Sequence, residues 1–298
     1  MASHQVVLVT GTSSGFGRLI SRTLARRGHT VFATMREPEI KNAAAAVDLR
    51  VLAGKERIPL HVLPMDVTSD ASVSEAVGRA MEQEGRIDAI VHNAAIASFG
   101  ITEAFTLDQV KEQFETNVFG PLRVNRAALP HLRQAARGFI LHISASIARS
   151  PLPFMGVYCA TKAALEVLAE EARYVLAPLG IDSAILQPGV YPTPLQQKLL
   201  QPLDGARASG YGPLFPVMEQ MGKFMQYMLS TRPDPQEVAD AVLRLVEAPP
   251  GTRPLRTLVG AAHPGGVEAL NDSSDRLIEG FYGGMGIGHL VHRPGAER

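Results

Sequence analysis

The stretch Gln5-Val6-Val7-Leu8-Val9-Thr10-Gly11-Thr12-Ser13-Ser14-Gly15-Phe16-Gly17 runs from an apolar, β-branched segment directly into three glycines. Its apolar part shows no polar alternation, so it reads as a strand buried on both faces. Phe16–Arg27 then carries apolar residues at helical spacing. A glycine-rich turn between a first strand and a first helix lets backbone N–H groups approach a pyrophosphate at the helix N-terminus. The spacing is Gly-x3-Gly-x-Gly, not the commoner Gly-x-Gly-x-x-Gly. A plain strand-to-helix turn also uses glycine, but the position at the opening of a β-α unit favours phosphate binding. The Gly-x4-Gly-Lys-Ser/Thr motif is absent, which disfavours nucleotide hydrolysis.

The same alternation continues outward. Strand-like runs fall at Thr30–Thr34, His61–Val67, Asp88–Ala94, Gly138–Ser144, Asp182–Pro188 and Thr257–Gly260, with helix-length segments such as Ser72–Glu84 between them. Repeated β-α-β with right-handed crossovers predicts an α/β fold: a Rossmann-like, doubly wound parallel sheet with helices on both faces. After Pro188 the regularity fades. Residues 190–230 hold prolines and an apolar set that includes Tyr211, Phe215, Met218, Met221, Phe224 and Met225. The expected organisation is one domain over 1–262, with a substrate flap at about 190–230, and a C-terminal extension over 263–298. An amphipathic stretch lies near Asp275–Tyr282 in that extension, which is expected either to fray or to pack on a neighbouring subunit.

Composition narrows the function. The chain of 298 residues is 46% apolar and 19% charged, with 29 basic and 29 acidic residues, so a large core forms and no charge footprint for nucleic acid or an anionic membrane exists. One cysteine, Cys159, excludes a disulfide framework and a cysteine-rich metal site. No His-Glu-x-x-His or Gly-x-Ser-x-Gly is present, which disfavours a zinc protease or an esterase. The start lacks a signal-peptide pattern and no apolar run approaches membrane-spanning length, so the expected location is cytoplasmic.

Tyr158-Cys159-Ala160-Thr161-Lys162 is the second informative feature. Tyr and Lys four apart project from one helix face. An ammonium there, together with a bound oxidised nicotinamide, favours the tyrosinate and tunes the hydroxyl for proton exchange with an alcohol or carbonyl. An ordinary polar helix face has the same spacing, so the pair alone does not decide. Cys159, one residue on, points about 100° away and reads as packing.

Taken together and in order, these features resemble the short-chain dehydrogenase/reductase family in its single-domain form. The resemblance spans roughly Val6 to Thr193: Thr10-Gly11-x3-Gly15-x-Gly17, Asp66-Val67, Asn93-Ala94-Ala95, Asn117, a serine near 145, Tyr158-x3-Lys162 and Pro188-Gly189-x3-Thr193. It implies Tyr158 as proton donor or acceptor, with Lys162 lowering its pKa and holding the nicotinamide ribose. Gly11, Ser13, Ser14, Gly15, Phe16 and Gly17 would cradle the pyrophosphate. Asp66 and Val67 would meet the adenine, Asn93 and Ala94 line the trough, and Pro188, Gly189, Val190 and Thr193 face the nicotinamide carboxamide. Asn117 also has a physical argument: Pro121, four residues on, lacks the N–H that would pair with the Asn117 carbonyl in a helix. In the family that carbonyl holds a water linked to the lysine.

The serine departs from the pattern. The usual position, 13 before the tyrosine, is Ala145; Ser146 lies 12 before it, a spacing seen in retinol-acting relatives, and Ser144 is the alternative. Ser146 is expected to serve. After the second strand, Met35 stands where NAD-selective relatives carry Asp, and Arg36 suits a 2′-phosphate, so NADP is expected, with NAD possible if Glu37 binds the ribose. The substrate expected is a small hydrophobic alcohol, aldehyde or ketone; steroid and retinol dehydrogenases are the most similar members. A homodimer or homotetramer is implied by the family. Two other readings stand beside this one: a cofactor-binding sensor or scaffold with little turnover, kept open by the displaced serine, and an epimerase or dehydratase.

Overall fold

The computed structural model describes residues 4–231, 233–260 and 266–290. The seven strands are β1 (Val6–Thr10), β2 (Thr30–Met35), β3 (Leu60–Pro64), β4 (Ala89–His92), β5 (Gly138–Ile143), β6 (Ile181–Pro188) and β7 (Arg256–Val259). They form one parallel sheet in the order β3-β2-β1-β4-β5-β6-β7. Every residue of β1, β2, β4 and β6 is buried, as unalternating apolar strands demand.

Odd and even positions serve two cores. On one face Val7, Val9, Ala33, Val91, Leu141 and Leu186 pack against α1 (Gly15–Arg26) and α9 (Gln236–Glu247). On the other, Val6, Leu8, Phe32, Ile90 and Ile140 meet α3 (Asp70–Glu84) and α5 (Gly120–Ala135). Each such buried aliphatic side chain contributes about 1.5–3 kcal/mol. The order reverses between β1 and β4, so their carboxyl ends diverge and open a crevice there.

Two strands stop earlier than their apolar runs. β3 ends at Pro64 and β4 at His92, so Asp66, Val67, Asn93 and Ala94 leave the sheet into loops that line the crevice. The remaining helices are α2 (Ala43–Glu56), α4 (Leu107–Phe114), α6 (Gly156–Leu176), α7 (Gly205–Ser209), α8 (Phe215–Ser230) and α10 (Gly266–Gly284). α10 is longer than the amphipathic stretch suggested. It neither frays nor projects: Asn271 Nδ2 donates to Gln187 Oε1 at 2.7 Å, Arg256 Nη1 to Asp275 Oδ1 at 2.5 Å, and Tyr282 meets Tyr174 edge-on. Residues 263–265 and 291–298 of the expected extension lie outside the described residues. No described helix is long and apolar enough to cross a membrane.

Candidate active site

The turn from β1 to α1 is built for close approach. Gly11 and Gly15 have φ of +70° and +57°. A Cβ on Gly11 would lie 2.7 Å from Ala94 Cα, and one on Gly17 would lie 2.4 Å from both Asn93 Nδ2 and the Gly11 carbonyl. Asn93 locks this turn: its Nδ2 donates to the Thr10 and Gly11 carbonyls at 2.9 Å each. Thr10 Oγ1 in turn accepts from the Asn93 and Ala94 N–H groups. Ser14 caps α1 without a side-chain hydrogen bond, and the first turn holds no acid, leaving its N–H groups for an anion.

Around this turn lies a cleft of about 320 Å³ lined by Gly11, Ser13, Ser14, Gly15, Phe16, Arg36, Asp66, Val67, Asn93, Ala94, Tyr158, Lys162 and Thr193. Gly17 does not line it but packs behind, between Gly11 and Asn93. Asp66 Oδ1 accepts from the N–H and hydroxyl of Thr68, fixing the loop after β3. Lys41 and Lys198 line the cleft as well, neither singled out by sequence. Lys41 carries no motif; it arrives because Asn42 folds the β2–α2 loop back, donating from Nδ2 to the Arg36 carbonyl at 2.6 Å and from its N–H to that of Glu37. Glu37 itself does not line the cleft. Four cations against Asp66 leave the cleft strongly positive.

Tyr158 and Lys162 sit on α6, both buried, at 7% and 3% exposure. Lys162 Nζ donates to the Ile143 carbonyl at 2.7 Å and lies 5.8 Å from the Tyr158 ring centre. Burial pulls Lys162 down to about 8, opposed by the Glu166 carboxylate one turn on. Burial pushes Tyr158 up from its usual range, with Cys159 adding to it. The chain's own groups therefore do not bring Tyr158 toward neutrality.

Asn117 lies outside both cavities and braces them. Its Oδ1 accepts from the Ile96 N–H, and its Nδ2 donates to the Ile96 carbonyl at 2.8 Å and to Thr161 Oγ1 at 3.0 Å, beside Lys162. The helix passes this point as a π turn, Glu115–Phe119, in which the Gly120 N–H reaches the Glu115 carbonyl. Pro121 removes a donor at the junction, which favours the wider turn.

A second pocket, about 290 Å³, adjoins the cleft. Ser146, Ile147, Leu152, Met155, Pro188, Gly189, Val190 and Tyr191 line it, and Gly222, Met225, Gln226 and Leu229 of α8 close one side. Among the described residues no charged one lines it. Phe16, Ser144, Tyr158, Thr193 and Leu195 are common to both cavities, so Tyr158 stands at the junction. Pro188, Gly189 and Val190 are thus on the apolar side, while Thr193 reaches both. The two serines differ in placement: Ser144 lines both cavities but its Oγ is enclosed beside Glu166, whereas Ser146 lines only the apolar pocket.

Residues 5–204 match the short chain dehydrogenase family. An uncharacterised oxidoreductase of Bacillus subtilis is 34% identical over 82% of this chain and 85% of its own length. Estradiol 17-beta-dehydrogenase 1 of Rattus norvegicus is 32% identical, over 82% of this chain and 71% of the rat enzyme. Among solved structures, a short-chain dehydrogenase from Streptomyces avermitilis superposes with a TM-score of 0.72 at 28% identity, covering 96% of this chain and 98% of that one.

Proposed function

The chain belongs to the short chain dehydrogenase family, and on that premise we propose that it is an NADP-preferring oxidoreductase interconverting a hydrophobic alcohol with its aldehyde or ketone. Family membership makes it a nicotinamide-dependent oxidoreductase of CH–OH and C=O groups; the substrate class, the cofactor preference and the residue roles are our reading. The observation that carries it is the meeting of a cationic cleft and an uncharged apolar pocket at Tyr158.

When bound, the cofactor gives or takes a hydride at its nicotinamide C4. Gly11 and Gly17 let the turn pack closely on Ala94 and Asn93, where a Cβ would clash, and Gly11, Ser13, Ser14 and Gly15 face the pyrophosphate. Arg36 and Lys41 pair with a 2′-phosphate, and Asp66 and Val67 flank the adenine. The Tyr158 hydroxyl passes a proton to the substrate oxygen in reduction and takes one back in oxidation. Ser146, open to the apolar pocket, donates a hydrogen bond to that oxygen as negative charge develops on it. Lys162 holds the ribose and, being cationic, favours the ionised tyrosine. Asn117 keeps the Ile96 loop and the Thr161–Lys162 turn in register. Pro188, Gly189, Val190 and Thr193 bound the nicotinamide side. Residues 190–230 act as a flap whose α8 wall selects apolar substrates. A homodimer or homotetramer is the family-based expectation for its assembly.

The test is a fluorescence titration with NADPH and NADH, followed by a panel of hydrophobic aldehydes and ketones. Binding followed by cofactor oxidation is expected, and Tyr158→Phe should lose turnover by about 10²–10⁴-fold with cofactor affinity within a few-fold. Turnover retained in Tyr158→Phe would refute its role. Tight binding without oxidation across the panel would leave the sensor or scaffold.

A further inference from the structure

Lys198 lines the cofactor cleft from the side of the flap, and the reaction proposed above gives it no role. Its side chain is exposed, and among the described residues no acidic group pairs with it. Gln196–Lys198 forms a short 3-10 turn, closed by the Lys198 N–H donating to the Leu195 carbonyl at 3.0 Å. Side chains three apart eclipse in such a turn. Leu195 and Lys198 accordingly both line the cleft, while Gln196 and Leu199 both line the apolar pocket.

The turn is fixed at both ends. Gln196 Oε1 accepts from the Thr193 N–H and hydroxyl at 3.0 and 2.9 Å, and its Nε2 donates to the Tyr191 carbonyl at 2.6 Å. Beyond the turn, the Leu200 N–H donates to the Ala97 carbonyl at 2.9 Å, and the Leu200 carbonyl accepts from the Phe99 N–H at 3.1 Å. Lys198 therefore enters from the β6 side of the crevice, across β1 and β4 from Arg36 and Lys41, which follow β2. Its segment leans on the glycine turn: a Cβ on Gly15 would lie 3.6 Å from Thr193 Cβ and 3.9 Å from Pro194 Cδ. Gly15 opens α1, whose first turn holds no acid. A diphosphate at that N-terminus is the anionic group the flap wall faces, whereas a 2′-phosphate belongs to the far wall with Arg36 and Lys41.

We propose that Lys198 is a ligand of the cofactor diphosphate carried by the flap, and that the turn it shares with Leu199 links filling of the cleft to the wall of the apolar pocket. A diphosphate carries two negative charges and an exposed lysine meets it at high dielectric, so the contact is worth about 5–30-fold in Kd. Both NADPH and NADH carry the diphosphate, so removing the lysine costs them equally. Holding the Lys198 side chain also restrains Leu199, the next residue, on the apolar pocket. Coupling of this kind runs in both directions.

This inference rests on the cleft taking a nicotinamide dinucleotide, as proposed above, and its test is read from binding and not from turnover. The full-length wild type, Lys198→Ala and Lys198→Arg are titrated calorimetrically with NADPH, NADH and ADP-ribose. ADP-ribose carries the diphosphate without the nicotinamide or a 2′-phosphate. Lys198→Ala should weaken all three by the same factor of about 5–30, and Lys198→Arg should regain most of it. A loss confined to NADPH would move the residue to the 2′-phosphate, a loss that spares ADP-ribose would move it to the nicotinamide end, and no loss would leave a solvated lysine; each overturns the proposal. In parallel, saturating ADP-ribose should slow chymotryptic cleavage within residues 190–230 of the wild type and slow it less in Lys198→Ala. Equal protection of the two proteins overturns the link to Leu199. A wild type that binds cofactor without oxidising it, or that binds NADH more tightly than NADPH, counts against the proposed function and leaves the assignment of Lys198 standing.

Discussion

Cofactor choice gives the sharpest test of the cleft. Arg36 and Lys41 both line it on the loop after β2, and both side chains are exposed, so their field on a bound anion is that of a high-dielectric surface. One unit charge at 4 Å from another is worth about 1 kcal/mol in water and about 4 kcal/mol at a surface of intermediate dielectric. Exposure puts each cation toward the lower figure, and a phosphate carrying nearly two charges raises it again. Each should therefore stabilise a 2′-phosphate by about 1–2 kcal/mol, which is roughly 5–30-fold in Kd. Arg36→Ala and Lys41→Ala should each weaken NADPH by that factor and leave NADH within about twofold, since NADH lacks the phosphate. The double variant should fall short of the product of the two, because both side chains face one group. Raising salt from about 50 to 500 mM should erode NADPH affinity in the wild type more than in the double variant. The assay is titration of cofactor fluorescence in all four proteins. Equal losses for NADPH and NADH, or none for NADPH, would refute the assignment.

The serines divide on access. Ser146→Ala should cost about 10²–10³-fold in kcat, as for loss of one donor to a developing oxyanion, and Ser144→Ala only a few-fold; the reverse order, measured side by side, would transfer the role to Ser144. Acid stability should follow the buried histidines. His92 and His142 stack with ring centres 4.9 Å apart, and burial lowers His92 to about 4 and His142 well below its ordinary value. The unfolded chain takes up protons near pH 6.5 that the fold refuses, so stability is full above that pH and falls on acidification toward 4. His92 should account for about 2 kcal/mol of the loss between pH 7 and 5, and His142 adds to it in the same direction. Urea unfolding at pH 7 and 5 should show a smaller loss in His142→Phe than in the wild type, and an undiminished loss in that variant would show that other groups drive the acid limb.

The sheet and the phosphate turn were legible because their signals are local. Unalternating runs such as Val6–Val9 must be buried on both faces, and a strand running into Gly11, Gly15 and Gly17 has one economical path. The Tyr158–Lys162 spacing likewise places both side chains on one helix face whatever surrounds them. Lys41 was not legible, since nothing in its neighbours marks it; Asn42 brings it to the cleft by a hydrogen bond that only the folded loop makes.

Sequence by itself thus determined the α/β class, the strand order's raw material and the glycine turn that opens the cleft, because periodicity and short-range spacing fix them. Tertiary structure decided matters of access and environment. It enclosed the Ser144 Oγ beside Glu166 while placing Ser146 only on the apolar pocket, and it ended β3 and β4 early enough to turn Asp66 and Asn93 into the crevice. It buried Tyr158, and that burial raises its hydroxyl above the usual range, with Cys159 adding to it. It also folded α10 back so that Asn271 reaches Gln187, 84 residues upstream, which in turn holds Glu166. The reason is that burial and hydrogen-bond partnership are properties of neighbours brought together by the fold, and residues such as Glu166, Gln187 and Asn271 become neighbours only there.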